Sequence, residues 1–164
     1  MAIQLTQKER TLLQDQKKHE EICIQKYKNY ANQAKDPELK QLFNSYAKQE
    51  QQHYDTLNQI LSGQVPNMQQ QGQQQGQQQV GQQQNYQPLQ QQPMGGAMAD
   101  QSDADLCTDM LMTEKYVSST YDTAIFESVN SDIRQALNHI QKEEQQHGEG
   151  IFNYMQKKGL YNPQ

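Results

Sequence analysis

Tryptophan is absent from this chain of 164 residues, phenylalanine occurs three times and cysteine twice. Leu, Ile, Val and Phe together fill only 27 positions, below the roughly one-fifth share under which chains begin to lose a packed core. The net charge of −5 is too modest to force disorder by itself. Cys23 and Cys107 form neither a disulfide framework nor a zinc spacing, which suits a reducing compartment. Basic residues do not dominate, and Lys17-Lys18 and Lys157-Lys158 are isolated pairs, so no nucleic-acid partner is expected. No apolar run approaches the roughly 18 residues of a membrane span. The first ten residues lack the apolar core of a signal peptide, so synthesis in the cytoplasm is expected.

What the chain has instead is glutamine, at 35 positions, 16 of them between Gln69 and Gln92. This bias divides the sequence into residues 1–63, a Gln-rich segment 64–101 and residues 102–164. A segment of Gln, Gly, Pro and Met with almost no charge cannot bury apolar surface, which predicts a flexible linker. Its amide groups also suit assembly or covalent cross-linking.

The flanking parts carry helix signals. Thr6-Gln-Lys-Glu9 has capping-box form, and the face Leu12/Leu13, Gln16, Glu20, Cys23, Tyr27, Tyr30, Ala34 follows in steps of three and four. Asp36-Pro37 supplies an N-cap with proline at the first helical position. The next face runs Leu39, Leu42/Phe43, Tyr46, Glu50, His53, Leu57, Ile60/Leu61 and stops at Gly63. Ser102 with Asp105 opens a third helix, whose face is Leu106/Cys107, Met110, Glu114, Val117, Tyr121, Ala124/Ile125. Asn130 caps a fourth, with Ile133, Ala136/Leu137, Ile140, Glu144, His147, Ile151, Tyr154/Met155 facing inward and Gly159 closing it. The chain is expected to be all-α.

An internal repeat with an offset of 94 relates the two halves. Lys48-Gln-Glu-Gln-Gln-His53 falls on Lys142-Glu-Glu-Gln-Gln-His147, Glu20 on Glu114, and Tyr27 on Tyr121. Each half therefore reads as one helical hairpin, and two hairpins should pack as a four-helix bundle because neither can bury its stripe alone. Each of the four seams carries one mid-helix carboxylate, Glu20, Glu50, Glu114 or Glu144. His53 and His147 follow two of them at i, i+3, on the same helical face. Unpaired buried carboxylates are costly, and two divalent cations would resolve the cost. Four Glu and two His form the ligand set of carboxylate-bridged di-metal bundles. Imidazole and carboxylate suit iron, manganese or zinc. A metal-free polar layer is the alternative. Tyr27, Tyr121, Cys23 and Cys107 read as core, and His19 and His139 as solvated. Glu21 and Glu143 read as surface groups, or as supports of the ligands if the helix phase shifts.

This constellation resembles the ferritin-like superfamily, including rubrerythrins and manganese catalases. The resemblance implies parallel second and third helices joined by a long crossover, two cations of iron or manganese, and the ligands Glu20, Glu50, His53, Glu114, Glu144 and His147. In the C-terminal half, Asp109–Tyr121, Asn130–Leu137, Glu143-Glu-Gln-Gln-His147 and Tyr154-Met-Gln-Lys-Lys-Gly-Leu-Tyr161 resemble the Coat F family of bacterial spore coat proteins. That likeness implies deposition in the spore coat of an endospore-forming bacterium, with other coat proteins as partners. Ferritin-like bundles often pair, so the first resemblance implies a homo-oligomer as a further arrangement, although no seam here argues a dimer. A structural coat component is thus the first expectation, and a di-iron or di-manganese oxidoreductase of peroxidase, catalase or ferroxidase type the second.

Overall fold

A computed structural model of the chain describes residues 3–66 and 102–161. Four helices make up almost all of this: α1 (Gln7–Gln33), α2 (Pro37–Leu61), α3 (Asp103–Glu127) and α4 (Ser131–Lys157). No strand occurs among the described residues, so the all-α expectation holds. Of the Gln-rich segment 64–101, residues 67–101 lie outside the described residues, and with them the expectation of a flexible linker.

The helices start and stop where local chemistry directs. Thr6 and Glu9 form a reciprocal capping box, as do Ser102 and Asp105. Asp36 caps α2 ahead of Pro37, and the Asn130 side chain accepts from the backbone N–H groups of Asp132 and Ile133. Gly63 and Gly159 follow α2 and α4 with φ of 84° and 70°, the left-handed conformation that favours glycine at a helix stop.

Short turns make α1/α2 and α3/α4 antiparallel hairpins. Across the hairpins, Gln16 meets Thr120 and Tyr30 meets Asp109, so α1 and α3 also run antiparallel. His53 meets Glu144 and Lys157 meets Glu38, which sets α2 against α4 the same way. Helices α2 and α3 are therefore parallel, as a long crossover requires.

Two ties across the hairpins obey the offset of 94. The Asp103 carboxylate accepts from the backbone N–H of Lys35 and Asp36, each at 2.9 Å. Glu9, the counterpart of Asp103, accepts from Val129 N–H, the counterpart of Lys35, at 2.8 Å. Each hairpin's opening carboxylate thus holds the other's turn. Apolar side chains fill both ends of the bundle. Phe43, Leu39, Leu106, Met110 and Ile151 lie towards one end, and Leu13, Leu57, Ile60, Ile133 and Leu137 towards the other, all fully buried or nearly so. Each such burial contributes about 1.5–3 kcal/mol. Between the two apolar ends lies a polar layer.

Candidate metal centre

All six residues expected to face inward at mid-helix do so. Glu20 on α1, Glu50 and His53 on α2, Glu114 on α3, and Glu144 and His147 on α4 are each at most 2% exposed. They form two overlapping groups, Glu20–Glu50–His53–Glu144 and Glu50–Glu114–Glu144–His147. Within each group one ligand atom per residue lies within 4.8 Å of the others, and Glu50 and Glu144 belong to both.

Both imidazoles turn Nδ1 towards this layer. His53 Nδ1 lies 3.0 Å from Glu144, 3.2 Å from Glu50 and 3.6 Å from Glu20. His147 Nδ1 lies 3.2 Å from Glu50 and 3.5 Å from Glu114. Each Nε2 points outward to an acceptor. His53 Nε2–H donates to Glu143 at 2.7 Å, and His147 Nε2–H donates to the Gln49 amide oxygen at 2.7 Å. An Nε2–H fixed by an acceptor leaves Nδ1 as the ligating atom.

The carboxylates are not satisfied by hydrogen bonds alone. Glu20 Oε2, Glu114 Oε2 and Glu144 Oε2 are buried without a hydrogen-bond partner. Burial, reinforced by the neighbouring carboxylates, pushes Glu50 and Glu144 well above the usual carboxylate range. Burial also acts on Glu20, but hydrogen bonds from His53, Glu50 and Tyr121 outweigh it and hold its pKa below the usual value. On His53, burial disfavours the charged ring, yet its carboxylate neighbours raise its pKa well above the ordinary value. A layer of four buried carboxylates, three with orphaned oxygens, faced by two imidazole Nδ1 atoms has the donor set and convergence that two divalent cations need.

Some surroundings differ from the sequence expectation. Tyr27 and Tyr121, expected as core, are fully buried, and their hydroxyls also donate across the bundle, Tyr27 to Glu114 and Tyr121 to Glu20. Glu143 is buried and supports His53, whereas Glu21 is half-buried and paired with Lys18 at 2.7 Å. His139 touches Glu143 at 3.3 Å, and His19 lies against Thr120 and the Tyr116 ring, so neither is fully solvated. The Tyr46 ring lies against that of His147, with centroids 4.3 Å apart and the planes tilted by 31°, a contact the spacing did not reveal. Cys23 and Cys107 are buried free thiols, and burial pushes Cys107 up to about 12. Both behave as small apolar groups, as expected.

Among the described residues, no helix is long and apolar enough to cross a membrane. Residues 102–164 match the family model described as Coat F domain, and residues 6–87, half of the chain, match that described as Rubrerythrin. No curated protein and no solved structure matches. The chain therefore belongs to the rubrerythrin family of ferritin-like bundles and carries a Coat F domain as its second hairpin.

Proposed function

We propose that this protein is a structural spore coat component whose bundle holds two divalent cations, iron or manganese. The observation that carries the metal assignment is the trio of orphaned carboxylate oxygens facing two imidazole Nδ1 atoms inside an apolar bundle. Glu50 and Glu144 would be shared by both ions. Glu20 with His53 would complete one position, and Glu114 with His147 the other. The Coat F domain supports the spore coat as location, with other coat proteins and further copies of this chain as partners. Elemental analysis of protein purified without chelator tests the metal. About two equivalents of iron or manganese per chain is the expected result, and none after anaerobic reconstitution would leave a metal-free polar layer.

The tyrosines favour a di-metal oxidoreductase as second reading. Tyr27 and Tyr121 donate to the carboxylates that would end each metal position, and Tyr46 lies against His147. Bound iron or manganese would supply one-electron chemistry. The chain's own contribution is to exclude water, hold the six ligands and keep the phenol protons on the tyrosines, whose pKa values burial and the nearby carboxylates raise. Loss of peroxide turnover in Glu50→Ala, with coat assembly retained, would identify the enzyme. Lowered thermal stability alone would identify the structural role.

A further inference from the structure

The two hairpins do not cover the polar layer equally. A groove of about 700 Å³ lies between α3 and α4, and Glu114 and Glu144 are among its lining residues. A groove of about 400 Å³ on the first hairpin is lined by Arg10, Lys17, Glu21 and Leu61 among others, and by none of the six metal-centre residues.

The offset of 94 locates the cause. Gly148 and Ser118 line the α3/α4 groove, and their counterparts on the first hairpin are Tyr54 and Ile24. Ile24 is buried, and Tyr54 is half-buried with the Lys17 ammonium 5.1 Å from its ring centre. Lys17 is itself the counterpart of Leu111, which lies across from Gly148. The second hairpin thus has two small residues where the first has two large ones. A Cβ at Gly148 would meet only ordinary contacts, Leu111 at 3.7 Å and Glu114 at 4.0 Å. Close packing therefore does not demand glycine there, and its missing side chain is one that the groove's wall could hold in ordinary contact.

The groove has a charge as well as a shape. Carboxylates of Glu114, Asp122, Glu144 and Glu149 line it, against the single ammonium of Lys115. The Gln141 amide donates to Asp122 at 2.6 Å and fixes it on the wall. Glu114 and Glu144 also carry two of the three orphaned buried oxygens. An acidic cleft of this kind concentrates cations.

We propose that the groove between α3 and α4 is the path by which divalent cations reach and leave the buried centre, arriving first at the Glu114–Glu144–His147 position. The proposal rests on the di-metal reading above. The α1/α2 seam, filled by Ile24 and Tyr54, is the closed side.

Stopped-flow uptake of Co(II), followed by its visible absorbance, tests this on the full chain. Gly148→Tyr and Ser118→Ile each restore the first hairpin's residue, and neither position is among the six ligands. Both variants should still bind two Co(II) per chain, with loading and removal by EDTA slowed about tenfold or more, because the ion must then await local opening of the helices. Wild-type loading should slow as salt is raised, since screening weakens attraction into the cleft. Full uptake at the wild-type rate in either folded variant overturns the path and leaves the di-metal reading intact. A wild-type chain that takes up no Co(II) overturns both.

Discussion

The Nε2 atom of His53 lies 2.7 Å from a carboxylate oxygen of Glu143, whereas that of His147 meets the amide oxygen of Gln49 at the same distance. Residues 49 and 143 are equivalent in the repeat, so duplication kept the geometry and changed the charge. A carboxylate polarises an imidazole N–H more than an amide does and makes Nδ1 the better donor. The position completed by His53 should bind more tightly. In calorimetric titration with Mn(II), Glu143→Gln should weaken the tighter step about 10–100-fold. Gln49→Glu should strengthen the weaker one. Unchanged isotherms in both variants would refute the difference.

Cation binding should also appear as stability. Carboxylates that repel one another without metal are reconciled by it. Free cation at about 100 times Kd should add about 2.7 kcal/mol per site. The melting temperature should fall on chelation and recover on reloading. A curve indifferent to both treatments would speak against an occupied centre.

Gly150 tests the Tyr46 contact. A Cβ at Gly150 would lie 1.8 Å from the Tyr46 hydroxyl oxygen and 3.1 Å from Cζ, so Gly150→Ala must displace the end of the Tyr46 side chain, whose ring lies against His147. The overpacking should cost about 1–3 kcal/mol, offset in part by alanine's helix preference of up to about 1 kcal/mol. With Tyr46→Phe the hydroxyl is gone, and the same alanine should cost less. Urea denaturation of the four proteins of the cycle measures this, and strict additivity would exclude the clash.

Asp36 links the first turn to the end of α4. It caps α2, accepts from the Tyr154 hydroxyl at 2.8 Å and pairs with Lys158 at 3.0 Å. Burial opposes its charge, but Lys158, Tyr154 and the Glu38 backbone outweigh this and hold its pKa below the ordinary 3.8. A lowered folded-state pKa gives stability that is present above the unfolded value and lost as pH falls through the folded one. Asp36→Ala should therefore cost about 1–2 kcal/mol at neutral pH. That gap should narrow as pH drops below 3.8. A gap constant with pH would assign the effect to the helix cap's shape rather than its charge.

Most of the fold is legible in the sequence because its determinants are local. Thr6 with Glu9, Asp36 with Pro37, and Gly159 each act within a few residues, and the inward stripe needs only the helical period. The six centre residues are legible for the same reason, since a carboxylate repeated on four apolar faces conflicts with burial. The reciprocal bonds of Tyr27 and Tyr121 are not, because a hydroxyl's partner on another helix depends on how the helices cross. Glu143 is harder still. It sits one residue before Glu144, about a hundred degrees around α4, and only the position of α2 decides that it faces His53.

The repeat held one signal that periodicity could not supply. Where its halves agree, they mark the common frame. Where they disagree, at Gln49 and Glu143, Ile24 and Ser118, or Tyr54 and Gly148, they mark what distinguishes one side of the centre from the other. On the di-metal reading, the same differences would give the two metal positions separate parts. The groove is lined by Glu114 and Glu144, and the carboxylate support of Glu143 lies behind His53, so ions would arrive at the weaker position and settle in the tighter.

The reciprocal ties of Glu9 to Val129 and of Asp103 to Lys35 carry a consequence for origins. Each hairpin presents to the other the groups that the other presents to it, which is the geometry of an isologous dimer contained in one chain. Two hairpins alike in these groups would be complementary to each other. Two copies of the second would bring together two Glu114, two Glu144 and two His147, the donors of a whole centre, before any linker joined them.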